Sequence, residues 1–148
     1  MSSYLSPLPF ATQPGHVLVV HCSDNRFQAQ FHNFLKEGLK LGEDYFLIAV
    51  PGAAHFLTLV EYLPKFAWAG RRWLRFLQKQ FELERIILIG HEQCLWYEQM
   101  STLRPVSARE QQESDLRKAV SELRSEFSVS AEAYFAALED AKVKFLSV

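Results

Sequence analysis

Val17-Leu18-Val19-Val20-His21-Cys22-Ser23-Asp24-Asn25-Arg26 and Ile86-Ile87-Leu88-Ile89-Gly90-His91-Glu92-Gln93-Cys94 are the two stretches that decide how this chain folds. Each opens as an unbroken apolar run, which suits a central parallel strand covered on both faces. Each then turns into a polar loop that carries cysteine, and the two cysteines of the sequence are these two. In sheets of parallel strands, ligands bind beyond the carboxyl ends of the strands. Cys22 and His91 are each expected one or two residues past such an end. If the two strands are neighbours, two thiols and one imidazole meet there. Thiolate and imidazole are preferred zinc ligands, and three protein ligands leave a fourth position for water, the pattern of a catalytic zinc.

Composition narrows the remaining possibilities. The 148 residues are 49% hydrophobic and 14% aromatic, which fits one folded domain over residues 1–148 and excludes a disordered chain. The net charge of −1 provides no field to recruit nucleic acid or an anionic membrane surface. No apolar run approaches the about 20 residues of a membrane span. The N-terminus lacks the basic and apolar regions of a secretory signal, and two cysteines make no disulfide framework. A cytoplasmic location is expected, with free thiols available to metal.

Along the chain, residues 1–15 hold three prolines and predict an irregular arm lying over a surface or a partner subunit. His16–His21 is the first predicted strand. Phe27, Phe31, Phe34, Leu35 and Leu39 then recur at helical spacing, with Gly42 as the stop. Tyr45–Val50 is a second strand, running into Pro51-Gly52-Ala53-Ala54, where small residues permit close backbone approach. Phe56–Leu63 predicts a short helix closed by Pro64. A helical stripe follows through Phe66, Gly70, Trp73, Leu74, Leu77 and Phe81, with Arg72, Arg75 and Lys79 on a solvated face. Arg85–Ile89 is the third strand. Ser107-Ala108-Arg109-Glu110 is a capping box that opens a helix with Leu116, Ala119, Val120, Leu123 and Phe127 inward. Ser130 is expected to cap a last helix to about Ala141, before a fourth strand over Val143–Val148. The alternation predicts a single α/β domain with a mainly parallel four-stranded sheet flanked by helices.

Cys22-x-Asp24-x-Arg26 after one buried strand and Gly90-His91-x-x-Cys94 after another resemble the motifs of the β-class carbonic anhydrases. The likeness runs from His16 to Cys94 and includes all five residues of the family's zinc and dyad motifs. It implies that Cys22, His91 and Cys94 bind zinc and that Asp24 and Arg26 form the catalytic pair. It also implies reversible hydration of CO2 to bicarbonate by zinc-bound hydroxide, and assembly as a homodimer or higher even-numbered oligomer. In some members the aspartate takes the fourth zinc position in a closed, inactive form; here that residue is Asp24. A hydroxide hydrogen-bonded to Asp24, itself held by a bidentate Arg26, is the arrangement the chemistry needs.

Four features depart from the family pattern: Leu95 in place of the usual glycine after the second cysteine, Ala49-Val50 in place of arginine and asparagine, a short irregular arm in place of a helical one, and a fuller helix between Arg26 and the second strand. They touch the substrate pocket and the subunit interface rather than the metal ligands. The alternative function is therefore a zinc-binding, carbonic-anhydrase-like regulatory module with weak, altered or lost hydratase activity, its pocket filled by Leu95-Trp96-Tyr97. Taken singly, either cysteine reads as a small buried hydrophobe, and Asp24–Arg26 as a helix-capping ion pair. A cysteine phosphatase is disfavoured because three residues between Cys22 and Arg26 make too tight a loop for phosphate. A thiol oxidoreductase lacks its Cys-x-x-Cys. Strand alternation turns His21 away from Cys22, making it a packing residue. His55 reads as a surface histidine near a loop rather than as a proton shuttle.

Overall fold

Strand alternation sorts the apolar runs onto two faces of one sheet, and the helices cover both. The computed structural model describes residues 2–58, 64–101 and 105–148, with backbone alone at 64, 66 and 101. Its elements are β1 (Val17–His21), α1 (Gln28–Asn33) continued by a π-helical turn (Phe34–Gly38), β2 (Phe46–Ala49), α2 (His55–Thr58), α3 (Pro64–Phe81), β3 (Arg85–His91), α4 (Leu95–Ser101), α5 (Ala108–Phe127), β4 (Ser130–Glu139) and β5 (Lys142–Ser147). The strand order is β2-β1-β3-β4-β5. All neighbours are parallel except β4–β5.

Leu18, Val20, Ile86 and Leu88 face a core shared with Leu57 of α2, Leu74 of α3 and Leu116, Ala119 and Leu123 of α5. Val19, Ile87 and Ile89 face the opposite side, onto Phe31 of α1, Leu35 of the π turn and Phe27 just before α1. Burying a side chain of this size contributes about 1.5–3 kcal/mol. β1 and β3 are therefore fixed as central strands by being apolar on both faces. From β1 the chain steps outward to β2, then returns to β3 on β1's other side. The reversal opens a crevice between the carboxyl ends of β1 and β3, the usual ligand position in such sheets.

Several expectations need correction. Among the described residues the sheet has five strands, because residues 130–139 form β4 and not a helix. The alanines of that segment favour helix as isolated residues. Their placement decides otherwise: Ala131, Ala133, Phe135 and Ala137 alternate into the α5 core, while β3 needs a partner on its open edge. Ser128, in a left-handed conformation, ends α5, so Ser130 begins a strand instead of capping a helix. β3 extends to His91, which therefore ends the strand instead of following it. The predicted helix at Phe56–Leu63 is α2, described only over His55–Thr58; residues 59–63 lie outside the described residues. Pro64 opens α3, a position that suits proline because the first helical N–H needs no partner. Helix α4 was not expected.

One local feature follows the sequence. The capping box is formed, with Ser107 Oγ accepting from the Glu110 N–H and the Glu110 carboxylate accepting from the Ser107 N–H. Residues 2–14 carry no helix or strand and are exposed. On α3, Arg71 and Arg75 pair with Glu122 and Glu126 of α5, so that face ties two helices together as well as meeting solvent.

Candidate metal centre

β1 delivers Cys22 directly after its last residue, and the turn that follows is heavily tied. The Phe27 N–H donates to the Asp24 carbonyl at 3.3 Å, and Phe27 is buried beside Phe31. The Gln28 amide donates to the carbonyls of Cys22 at 3.0 Å and Asp24 at 2.8 Å. His21 is buried, its Nδ1 2.8 Å from the Cys22 carbonyl oxygen and its ring 4.7 Å from Phe31. Burial holds its pKa below the usual value, as befits a packing residue.

β3 delivers His91, and α4 begins immediately after Cys94. The Cys94 sulfur accepts from the backbone N–H groups of Tyr97 and Trp96 in the first turn of α4. Cys22 and Cys94 are both free and buried, with their sulfurs 4.0 Å apart. Two Zn–S bonds of about 2.3 Å at the tetrahedral angle would place sulfurs about 3.8 Å apart, whereas a disulfide needs about 2.05 Å. Ligand atoms of Cys22, His91 and Cys94 all lie within 4.8 Å of one another.

The imidazole supplies an independent test of fit. His91 Nδ1 lies 2.9 Å from the Glu92 carbonyl oxygen. A carbonyl only accepts, so Nδ1 carries the proton and Nε2 is left with a lone pair. Nε2 is buried and has no hydrogen-bond partner among the described residues, and the His91 ring interacts with the Cys22 sulfur. A buried unpaired acceptor is costly, and metal-ligating histidines commonly use one nitrogen on metal while the other N–H donates to a carbonyl. The donor set and its geometry fit zinc.

The two sulfurs share one proton. A hydrogen bond between them, with either sulfur as donor, pulls the Cys22 thiol down against the opposing effect of burial. The His91 side chain and then the Gly52 and Asp24 N–H groups add to that lowering. Cys94 is correspondingly pushed up by its thiolate neighbour and by burial. Lowering one thiol in this way favours metal binding, which needs the ligands deprotonated.

Asp24 and Arg26 lie on the same loop as Cys22. Asp24 Oδ1 accepts from the Arg26 N–H and Nε, each at 3.0 Å, and Oδ2 accepts from Nη2 at 2.6 Å. The guanidinium holds the Asp24 carboxyl at about 2, well below the usual range. Arg26 Nη2 also donates to the Gln93 carbonyl at 3.0 Å, tying the two loops together. Gln93 adopts a left-handed φ of 56° in the turn between β3 and Cys94. Asp24, Arg26, Cys22, Cys94, Pro51 and Trp96 line one cleft of about 540 Å³. A hollow of about 600 Å³ beside α5 and β4 is somewhat larger, but no cysteine or histidine lines it.

Sequence reasoning missed two supports. The first is Gln112 of α5, whose amide accepts from the His91 N–H at 2.8 Å and donates to the His91 carbonyl at 2.9 Å. β1 ends in register with Ile89, and Glu92 N–H bonds to Ala136 on the β4 side. The His91 peptide groups therefore lack a strand partner on the β1 side, and Gln112 replaces one. Gly90 leaves room for it, since a Cβ there would lie 2.6 Å from Gln112 Oε1. The second support is His55, which is buried, not on the surface as expected. Its Nδ1 accepts from the Trp96 indole N–H at 2.7 Å. Glycine at 90 was the one sequence signal pointing toward Gln112; nothing marked His55.

No protein-family profile matches the sequence, and no curated protein matches it. Solved structures do. The β-carbonic anhydrase CafD of Aspergillus fumigatus aligns with 16% identity and a TM-score of 0.57, over 95% of this chain and 94% of that one. A carbonic anhydrase from Streptococcus mutans aligns with 17% identity and a TM-score of 0.56, over 95% and 87%. A tetrameric β-carbonic anhydrase from Sordaria macrospora aligns with 12% identity and a TM-score of 0.55, over 90% and 81%. The architecture of this chain, a mainly parallel sheet with a Cys-His-Cys cluster at its switch point, is a divergent version of the β-carbonic anhydrase fold.

Proposed function

We propose that this chain, as a single zinc-binding domain, is a carbonic anhydrase that reversibly hydrates CO2 to bicarbonate. Cys22, His91 and Cys94 are the metal ligands in this reading, with Asp24 and Arg26 as catalytic residues. The observation that carries it is a buried histidine Nε2, without a hydrogen-bond partner among the described residues, clustered with two sulfurs 4.0 Å apart. Zinc, when bound, lowers the pKa of water toward neutrality.

The chain's own residues do the remaining work. Asp24, ionised down to about pH 2, is an acceptor across the physiological range and orients an O–H donor in the cleft. Arg26 holds both carboxylate oxygens and, through Gln93, fixes the Asp24 loop against the Cys94 loop. Pro51, Leu95 and Trp96 give the cleft an apolar side suited to an uncharged substrate. A closed form with Asp24 as fourth ligand requires it to release Arg26. Assembly as a homodimer or larger even-numbered oligomer is supported by edge strand β2, where Leu47 is exposed near exposed Trp73 and Phe76. No helix among the described residues is long and apolar enough to cross a membrane. A cytoplasmic location is part of this proposal, supported by the two free thiols.

The second reading, a zinc-binding module without turnover, is favoured by Leu95 and Trp96 lining the cleft. Metal analysis followed by stopped-flow CO2 hydration at about pH 8 distinguishes the two. Zinc near one equivalent with turnover abolished by Asp24→Ala supports the enzyme. Zinc without turnover supports the module, and absence of zinc after supplementation defeats both.

A further inference from the structure

Behind the cleft lies a chain of buried polar contacts that the reaction does not use. The Trp96 indole N–H donates to His55 Nδ1 at 2.7 Å, so the His55 proton is on Nε2, which lies 4.0 Å from Asp115 Oδ2. Tyr97 OH donates to the same Asp115 oxygen at 2.9 Å, and the Gln111 amide donates to Oδ1 at 2.9 Å. His55 stacks on Tyr97 with ring centroids 5.1 Å apart. His55, Asp115 and Tyr97 are all buried, whereas Trp96 is half-buried and lines the cleft beside both cysteines.

The same pyrrole ring of the indole is also held by sterics. Gly52 has φ +75°, and a Cβ there would collide with Trp96 Cδ1 and sit 2.8 Å from Nε1. Glycine lets the indole pack directly on the Pro51-Gly52 turn, and the Gly52 N–H is among those that reach the Cys22 sulfur. A rigid aromatic whose pyrrole ring is held both by backbone packing and by a buried acceptor makes a wall of fixed position.

We propose that Trp96 sets the size of molecule that reaches the sulfur pair, and that His55, braced by Asp115, is the positioning residue that holds it. The cleft then admits small, few-atom linear or planar molecules and anions and rejects aryl or branched ones. The proposal deepens the hydration reading by assigning its size limit, but its test needs neither metal nor turnover.

The experiment is alkylation of Cys22 and Cys94 in reduced, metal-free protein, using iodoacetamide and the bulky N-(1-pyrenyl)maleimide. Each rate is divided by that of the urea-unfolded chain, and the sites are mapped by mass spectrometry. In the parent, the bulky reagent is expected to be suppressed relative to the small one. Trp96→Ala should relieve that suppression by about tenfold, the scale on which pocket shape discriminates. His55→Leu should relieve it similarly with Trp96 intact, while His55→Gln, which retains an acceptor for the indole N–H, should restore the parent ratio. A merely structural histidine would not show that rescue. If Trp96→Ala leaves the ratio unchanged, the wall lies elsewhere and the proposal fails. If Trp96→Ala acts but His55→Leu does not, the positioning role fails. Global unfolding raises both reagents to the reference rate together and is visible by circular dichroism; Trp96→Leu then replaces the alanine variant. Loss of hydratase activity with the ratio as expected would defeat the enzyme reading and leave this one standing.

Discussion

Replacing Gln112 by leucine tests whether His91 is held from behind. Leucine keeps most of the volume and the helix propensity but removes both hydrogen bonds to the His91 backbone. A buried N–H and a buried carbonyl are left unpaired, each costing about 1–3 kcal/mol, with water entry relieving part. The expected loss is about 2–4 kcal/mol, which for a domain of this size lowers the melting temperature by about 5–15 °C. Outer partners of metal ligands are typically worth about 10–100-fold in metal affinity, so zinc binding by chelator competition should weaken on that scale. Gly90→Ala reaches the same contact from the other side, because its Cβ would lie 2.6 Å from Gln112 Oε1 and 3.0 Å from Leu116 Cδ1. In the Gln112→Leu background, Gly90→Ala should therefore cost less than it does alone, a non-additivity of contacting groups. If Gln112→Leu lies within about 0.5 kcal/mol of the parent and binds zinc equally well, Gln112 is a packing residue and this account of His91 is wrong.

Other outcomes follow from the same geometry. Cys22→Ser, Cys94→Ser and His91→Ala should each abolish stoichiometric zinc in metal analysis, whereas Asp24→Ala should retain it; zinc retained by all of them would disprove the ligand assignment. Added zinc should raise the melting temperature of chelator-treated protein in a concentration-dependent way, since it binds the folded chain preferentially. The Asp24 carboxyl is at about 2 when folded and about 3.9 when unfolded. Its contribution is therefore complete above about pH 4 and lost as pH falls toward 2. In Arg26→Ala the acid loss of stability over that window should be shallower in urea titrations; an unchanged slope would show that Arg26 does not hold Asp24. Gly52→Ala combines a left-handed φ with the Trp96 collision and should cost about 1–3 kcal/mol. Gly42→Ala, at φ +62° in open space, should cost about 1 kcal/mol. Equal losses from the two glycine variants in thermal denaturation would mean that Trp96 does not press on Gly52.

The apolar runs at residues 17–20 and 86–89 determined their own structure, because residues apolar on both faces are stable only in the middle of a covered parallel sheet. The spacing of Cys22, Asp24, Arg26, His91 and Cys94 was legible for a related reason: one strand end and one turn fix where the next few residues go. Residues 130–139 were not legible. Ala-Glu-Ala-Tyr-Phe-Ala-Ala carries helix propensity, and it becomes β4 only because β3 presents an open edge and α5 leaves room for small side chains. Gln112 and His55 belong to the same class. Gln112 meets His91 across 21 positions and His55 meets Trp96 across 41, and neither pair leaves a local pattern. The sequence alone determined which atoms are available to hold a metal. Only the tertiary structure decided which side chains hold those atoms still, because a buried hydrogen bond is specified by where two elements pack and not by what either contains.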